Sequence, residues 1–280
     1  MTTSTIEGHE TADASRRQAI VELTRIESAT MARRVVIWVG IVLAVAGAVS
    51  TARGQSDWEA KFRDLVPGAI FPMTFATYIA AVRAGNRDRS RRRPPLAEAA
   101  ALDADARTLA RLGSLIVPVG LTALLMVVIG VASRIEGGFR FGDGIERTNS
   151  AVHSVFDLSQ PPLVIAVIGA AGIAIGRTVR WSGPVIVIGF VALFMGLGPW
   201  WLWNDRYAYT TALIQVQPLD FPDRYTVHAP TVALHDLYLL GLVAVFAGLS
   251  LRSHLRLRLV LGGATVAVLA IGAQLAVSPF

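Results

Sequence analysis

Two apolar runs, Leu65–Val82 and Leu112–Ala132, enclose a segment that carries eight arginines, at 83, 87, 89, 91, 92, 93, 107 and 111, against four acids. Each run is long enough to cross a hydrocarbon core about 30 Å thick at 1.5 Å rise per residue. The charged segment between them must then lie on one side of a bilayer. A surplus of Lys and Arg in a short loop marks the cytoplasmic side, so this loop orients the rest of the chain.

The remaining apolar residues also come in blocks, and 53% of the chain is hydrophobic with only 16% charged. An ordinary soluble domain carries about 25% charge. The pattern predicts an all-α fold, a polytopic transmembrane bundle of six to seven spans. It has an N-terminal amphipathic helix and a short cytoplasmic helix between the second and third spans. Residues 1–34 form the cytoplasmic tail and amphipathic helix, and 35–280 the transmembrane domain. The spans cover about 35–52, 65–82, 112–132, 161–176, 184–203, 235–251 and 259–277.

The basic residues are nearly all arginine, with Lys61 the single lysine, and they gather at span ends. Orientation explains this better than phosphate contacts do, so no nucleic-acid partner is expected. Segments placed inside hold 18 Lys and Arg and those placed outside hold eight. The N-terminus is therefore cytoplasmic, and the C-terminus extracytoplasmic after a seventh run, in the plasma membrane. The chain has no cysteine, which removes disulfides and thiolate sites. Residues 1–30 are too polar for a signal peptide.

Along the chain, residues 1–12 read as irregular. From Asp13 to Arg34 apolar Ile20, Leu23, Ile26 and Met31 alternate with charge, either along the inner membrane surface or as a solvated extension of the first span. A polar hairpin with Trp58 and Phe62 precedes the second span, which contains Pro67 and Pro72. Pro94 and Pro95 then open a helix, and Leu96, Ala100, Leu102, Ala106 and Leu109 give it an apolar stripe. The fourth span is glycine-rich (GAAGIAIG), as close helix packing requires. The fifth ends in Trp200, Trp201 and Trp203, an aromatic belt at the outer interface.

Chemistry-bearing groups are sparse. Span interiors lack acids and bases, with Asp236 at an outer end, which disfavours an ion-coupled carrier. His153 with Asp157, and His228 with His235 and Asp236, are isolated candidates for a metal set. The chain has no HExxH, GxSxG or CxxC, and no GxxxxGK[ST] phosphate loop. We therefore expect no catalytic, cofactor or metal residues, and no enzyme activity in this chain. Its ATP and Mg would sit on a partner. The charged face of the helix after Pro95 (Glu98, Asp105, Arg107 and Arg111) is the candidate contact for a partner ATPase. Its other reading is a helix lying on anionic lipid.

Three stretches together resemble a family: the loop and helix ending in RTLARL, then QPPLVIAVIGAAGIAIGRTVR, then HDLYLLGLVAVFAGLSLR with its arginine-rich turn. They are similar to actinobacterial permease subunits of ATP-binding-cassette transporters, of the type-2, export-class kind. The likeness covers roughly 13–275 and is one of layout. It implies a permease that pairs with a second permease chain, in a homo- or heterodimer. It further implies ATP-binding subunits and outward movement of an amphipathic substrate. Seven apolar runs depart from the six of that class. The alternative from a different class is a non-transporting membrane scaffold or accessory subunit that anchors or regulates a partner.

Overall fold

The computed structural model describes residues 4–54, 58–89, 103–135, 139–141, 151–153, 155–179, 183–197, 211, 213 and 229–277. Helices dominate it: α1 (Ser4–Ala32), α2 (Val35–Gly54), α3 (Trp58–Gly85), α4 (Ala104–Gly113), α5 (Ile116–Ile135), α6 (Val155–Thr178), α7 (Gly183–Leu197), α8 (Ala229–Leu249) and α9 (Leu255–Val277). A 3-10 turn at Asn86–Arg89 ends α3, and two short strands, β1 (Phe139–Phe141) and β2 (Ala151–His153), pair in parallel.

Among the described residues four helical stretches are long and apolar enough to cross a membrane: Ala104–Ala132, Leu158–Thr178, Pro230–Leu249 and Leu255–Val277. A fifth arises if the halves Arg16–Ala32 and Val35–Thr51, bent by 57° at their break, count as one span. The helical class expected from the sequence is therefore observed. So is a set of apolar helices compatible with a membrane-embedded protein.

Several boundaries move. Helix α1 begins at Ser4, so the segment expected to be irregular up to residue 12 is helical from there. Helix α3 starts at Trp58, seven residues before the expected apolar run, because the polar hairpin residues extend the same helix. Pro161 and Pro162 stand inside α6, in its second turn, where each removes an i→i−4 hydrogen bond. Among the described residues the loop helix covers Ala104–Gly113, with Asp103 accepting from the Ala106 N–H as its cap; the expected stretch from Leu96 to Leu102 lies outside them. Glu98 and Pro95 lie outside the described residues. Trp200, Trp201 and Trp203 do too.

Helix α6 is the centre. Of its apolar window 72% is buried inside the protein, against 33% or less for the other three stretches. It packs on α3, α5 and α8, while α2 lies on α3 and α9 on α8. Small residues set these approaches. A Cβ on Gly85 would meet the Ile173 carbonyl oxygen at 2.5 Å, and one on Gly172 would meet the Ala81 Cβ at 2.9 Å. The glycine-rich stretch of α6 therefore does bring two backbones together. Gly241 and Gly263 do the same for α8 and α9, with a 2.7 Å approach to the facing carbonyl. Phe190 seats α7 on α3, 5.0 Å from the Phe75 ring and 5.5 Å from that of Tyr78.

The outward faces are apolar. Val35, Val42, Leu124, Val128, Leu261 and Val268 are all more than half exposed. Soluble monomers rarely show large apolar surfaces, and these faces are compatible with a membrane-embedded protein.

The seam makes a measurable prediction. Gly172→Leu must push α3 from α6, because the contact includes the Tyr78 backbone oxygen, and should cost about 1–3 kcal/mol. Gly120→Ala, where a new Cβ meets nothing within 4 Å, should leave stability unchanged or slightly raised. Thermal unfolding of the purified variants in one detergent distinguishes the two.

Candidate functional site

One end of the bundle gathers the C-termini of α3, α6 and α8 and the N-termini of α2, α5 and α9, with α4 and the end of α1 against them. This is the end that carries the arginine-rich turns. A desolvated guanidinium is costly unless it is paired and hydrogen-bonded, and here each buried one has a use.

The elbow between α1 and α2 is built first. Arg34 follows the last turn of α1 and donates from Nη1 to the Ala80 carbonyl on α3. The Ala32 carbonyl, freed where the helix breaks, accepts from the Trp38 indole at 2.7 Å. Met31 and Ile37 on either side are buried with Ala80, Leu115, Ala170 and Ile173. The amphipathic helix is thus bound to the bundle by a packed joint.

Glu27, one turn before the elbow, binds Arg87 at 2.8 Å and faces Arg111 Nε at 3.9 Å. These contacts join α1 to the turn after α3 and to α4. Arg16 adds an exposed pair to Asp103 at 2.5 Å. The Asp103 carboxyl is held below the usual carboxylate range, chiefly by the Ala106 N–H it caps and secondarily by Arg16.

A second node lies on the other side of α4. Arg177, in the last turn of α6, donates from Nη1 to the Thr108 hydroxyl and to the Ser250 carbonyl at 2.5 Å. The same atom lies 3.9 Å from Asp105. Asp105 in turn accepts from the backbone N–H of Arg252 at 3.0 Å and of Ser253 at 2.7 Å. These donors immediately precede α9, so the carboxylate does for that helix what a capping side chain does locally, and its charge suits the positive end of the dipole.

Of the four residues expected to face a partner, the structure describes three. Asp105 and Arg111 turn inward, their side chains only 13% and 5% exposed. Arg107 lies between buried and exposed on the same helix. The amphipathic spacing of α4 was legible; the direction of its charged residues was not, since it depends on Glu27 and Arg177, 84 and 66 positions away from Arg111. Neither Glu27 nor Arg177 carries a local sequence signal for these roles. Both sit beside elements whose ends they fasten.

The opposite end holds a different polar group. His235 is fully buried, and Gln160 and Asp236 are 2% and 8% exposed. Asp236 was expected at an outer end of its span; α8 begins at Ala229, so His235 and Asp236 lie within its first two turns and are buried there. Ser159 on α6 hydrogen-bonds Asp236, and Tyr238 donates to the Thr211 carbonyl at 2.9 Å. His153 and Asp157 are described by backbone alone, and His228 lies outside the described residues. Among the described residues no three His, Asp or Glu are grouped to hold a metal ion.

No family model matches the chain, and neither a curated protein nor a solved structure matches it.

The first node predicts an asymmetry. Glu27→Ala removes the carboxylate that binds Arg87 and faces buried Arg111, and should destabilise by about 1.5–3 kcal/mol. Glu22→Ala, which removes an exposed pair with Arg25, should change stability by under about 1 kcal/mol. Thermal unfolding in detergent reads both.

Proposed function

We propose that the chain is the membrane-spanning permease subunit of an ATP-powered transporter of the ATP-binding-cassette kind. It would act in export, driven by a separate ATP-binding chain. The observation that carries this reading is the fastened platform of α1 and α4. A push on either helix would pass through Glu27 and Asp105 to α3, α6, α8 and α9 together. Force delivered at one end can then shift several spans, as conformational coupling to a motor subunit demands. The resemblance in layout supports it further, as does the absence of a phosphate-binding loop from the sequence.

In this reading six or seven segments span the plasma membrane. The arginine end is cytoplasmic, and a second permease chain completes the transporter. The ATPase would meet the outer side of the platform, where Arg107 lies half-buried on α4. Asp105 and Arg111 act from within by holding α4 in place.

The scaffold reading is favoured by one observation, the inward use of Asp105 and Arg111. It leaves the platform with less charge to offer a moving partner.

The two readings part in one experiment. The chain is purified from its native membrane in mild detergent and assayed for bound polypeptides and ATP hydrolysis, beside Arg107→Glu. The permease reading expects an ATP-binding chain with the native protein, its recovery reduced about tenfold or more in the variant. Recovery of partners without an ATP-binding chain, and no hydrolysis, supports the scaffold. Arg111→Glu is no test of docking, because it reverses a charge held against Glu27.

A further inference from the structure

The geometry points to a proton-exchange site between α6 and α8, formed by Ser159 and Asp236 with His235 beside them. It goes beyond the transport reading and does not depend on it.

Hydrogen counting carries the inference. The Ser159 hydroxyl lies 2.7 Å from the Phe156 carbonyl oxygen and also within hydrogen-bonding distance of Asp236 Oδ2. A hydroxyl owns one hydrogen but has two acceptor lone pairs. With Asp236 ionised, Ser159 turns its hydrogen to the carboxylate. With Asp236 protonated, the carboxyl donates to Ser159 Oγ, and Ser159 turns its hydrogen to the Phe156 carbonyl. Both protonation states are satisfied by one arrangement of heavy atoms. The exchange moves one proton between Asp236 and water, and needs only rotation about a single C–O bond.

The surroundings suit such a site. Asp236 lies in the second turn of α8, about 10 Å beyond the helix start at 1.5 Å per residue. A carboxylate there is expensive in a bilayer, and intramembrane acids commonly mark ion or proton sites. Asp236 is itself buried, 8% exposed with Oδ1 shielded from solvent, and His235 beside it is fully buried. Among the described side chains, α6 brings neutral Ser159 and Gln160 to this end, and α9 brings neutral Gln274. Besides Asp236, α8 brings the titratable His235 and Tyr238, whose rings lie 5.3 Å apart. Arg134 stands exposed on the last turn of α5. Because the pair bridges α6 and α8, proton exchange acts on the packing of the central helix.

The test is infrared spectroscopy of the full chain in lipid nanodiscs, prepared with isotope-labelled aspartate and titrated from about pH 4 to about pH 9, a window wide enough to show a perturbed carboxyl. The expected result is one buried carboxyl that converts reversibly between acid and carboxylate bands. It should disappear in Asp236→Asn and shift by about one pH unit or more in Ser159→Ala, which removes the rotor. If Asp236→Asn does not fold, Asp236→Glu assigns the band, since its carboxyl escapes the aspartate label. A carboxyl that stays in one form throughout, or a midpoint unmoved in Ser159→Ala, overturns the proposal.

Discussion

Arg177 shows the constraint under which the rest of the structure is arranged. A guanidinium at the end of a central, mostly buried helix is costly without partners. It is shared between Thr108 on α4 and the Ser250 carbonyl after α8, with Asp105 close by. Satisfying that one group brings the end of α6, the loop helix and the α8–α9 turn to the same place. Glu27 repeats the arrangement for α1, α4 and the turn after α3. Removal of one partner from such a buried pair is far more costly than the pair's own net stabilisation. These contacts therefore specify geometry more than they add stability.

The two ends of the bundle are thus chemically different. One is cationic, broad and cross-linked by charge; the other holds a small neutral-to-acidic group around Ser159, Gln160, His235 and Asp236. Between them the contacts are apolar and close, through Gly85, Gly172, Gly241 and Gly263. Lipid tails are as apolar as leucine, so burial alone does not hold helices together in a bilayer; close backbone approach and polar contacts do. A bundle fastened at one end and seamed with glycine can pivot about the fastened end. In the proposed permease, the platform would be where force enters and the far end where its effect is felt.

The helical class was legible because runs such as Leu112–Ala132 admit no other solution, and the glycine-rich stretch of α6 announced its close packing. Helix ends were less legible. Apolar pattern marks where hydrocarbon begins, whereas a helix ends where its backbone groups find other partners, and flanking segments that start at Trp58 and Ala229 lengthen α3 and α8 beyond their apolar cores. The candidate face of α4 was legible as amphipathic. The inward turn of Asp105 and Arg111 was not, because their partners are distant in sequence and each pairing depends on tertiary register. Asp236 read as the outer end of a span, whereas α8 starts at Ala229 and carries it further into the helix.

The central claim is that the arginine end faces the cytoplasm. The natural chain has no cysteine, so single cysteines report sidedness without further change. His254→Cys places a thiol at the arginine end, and Ile135→Cys, at a position 80% exposed, places one at the other. A membrane-impermeant maleimide applied to intact cells should label Ile135→Cys and spare His254→Cys, and permeabilisation should expose the latter. Labelling of His254→Cys in intact cells, with Ile135→Cys protected, would invert the orientation and contradict the account.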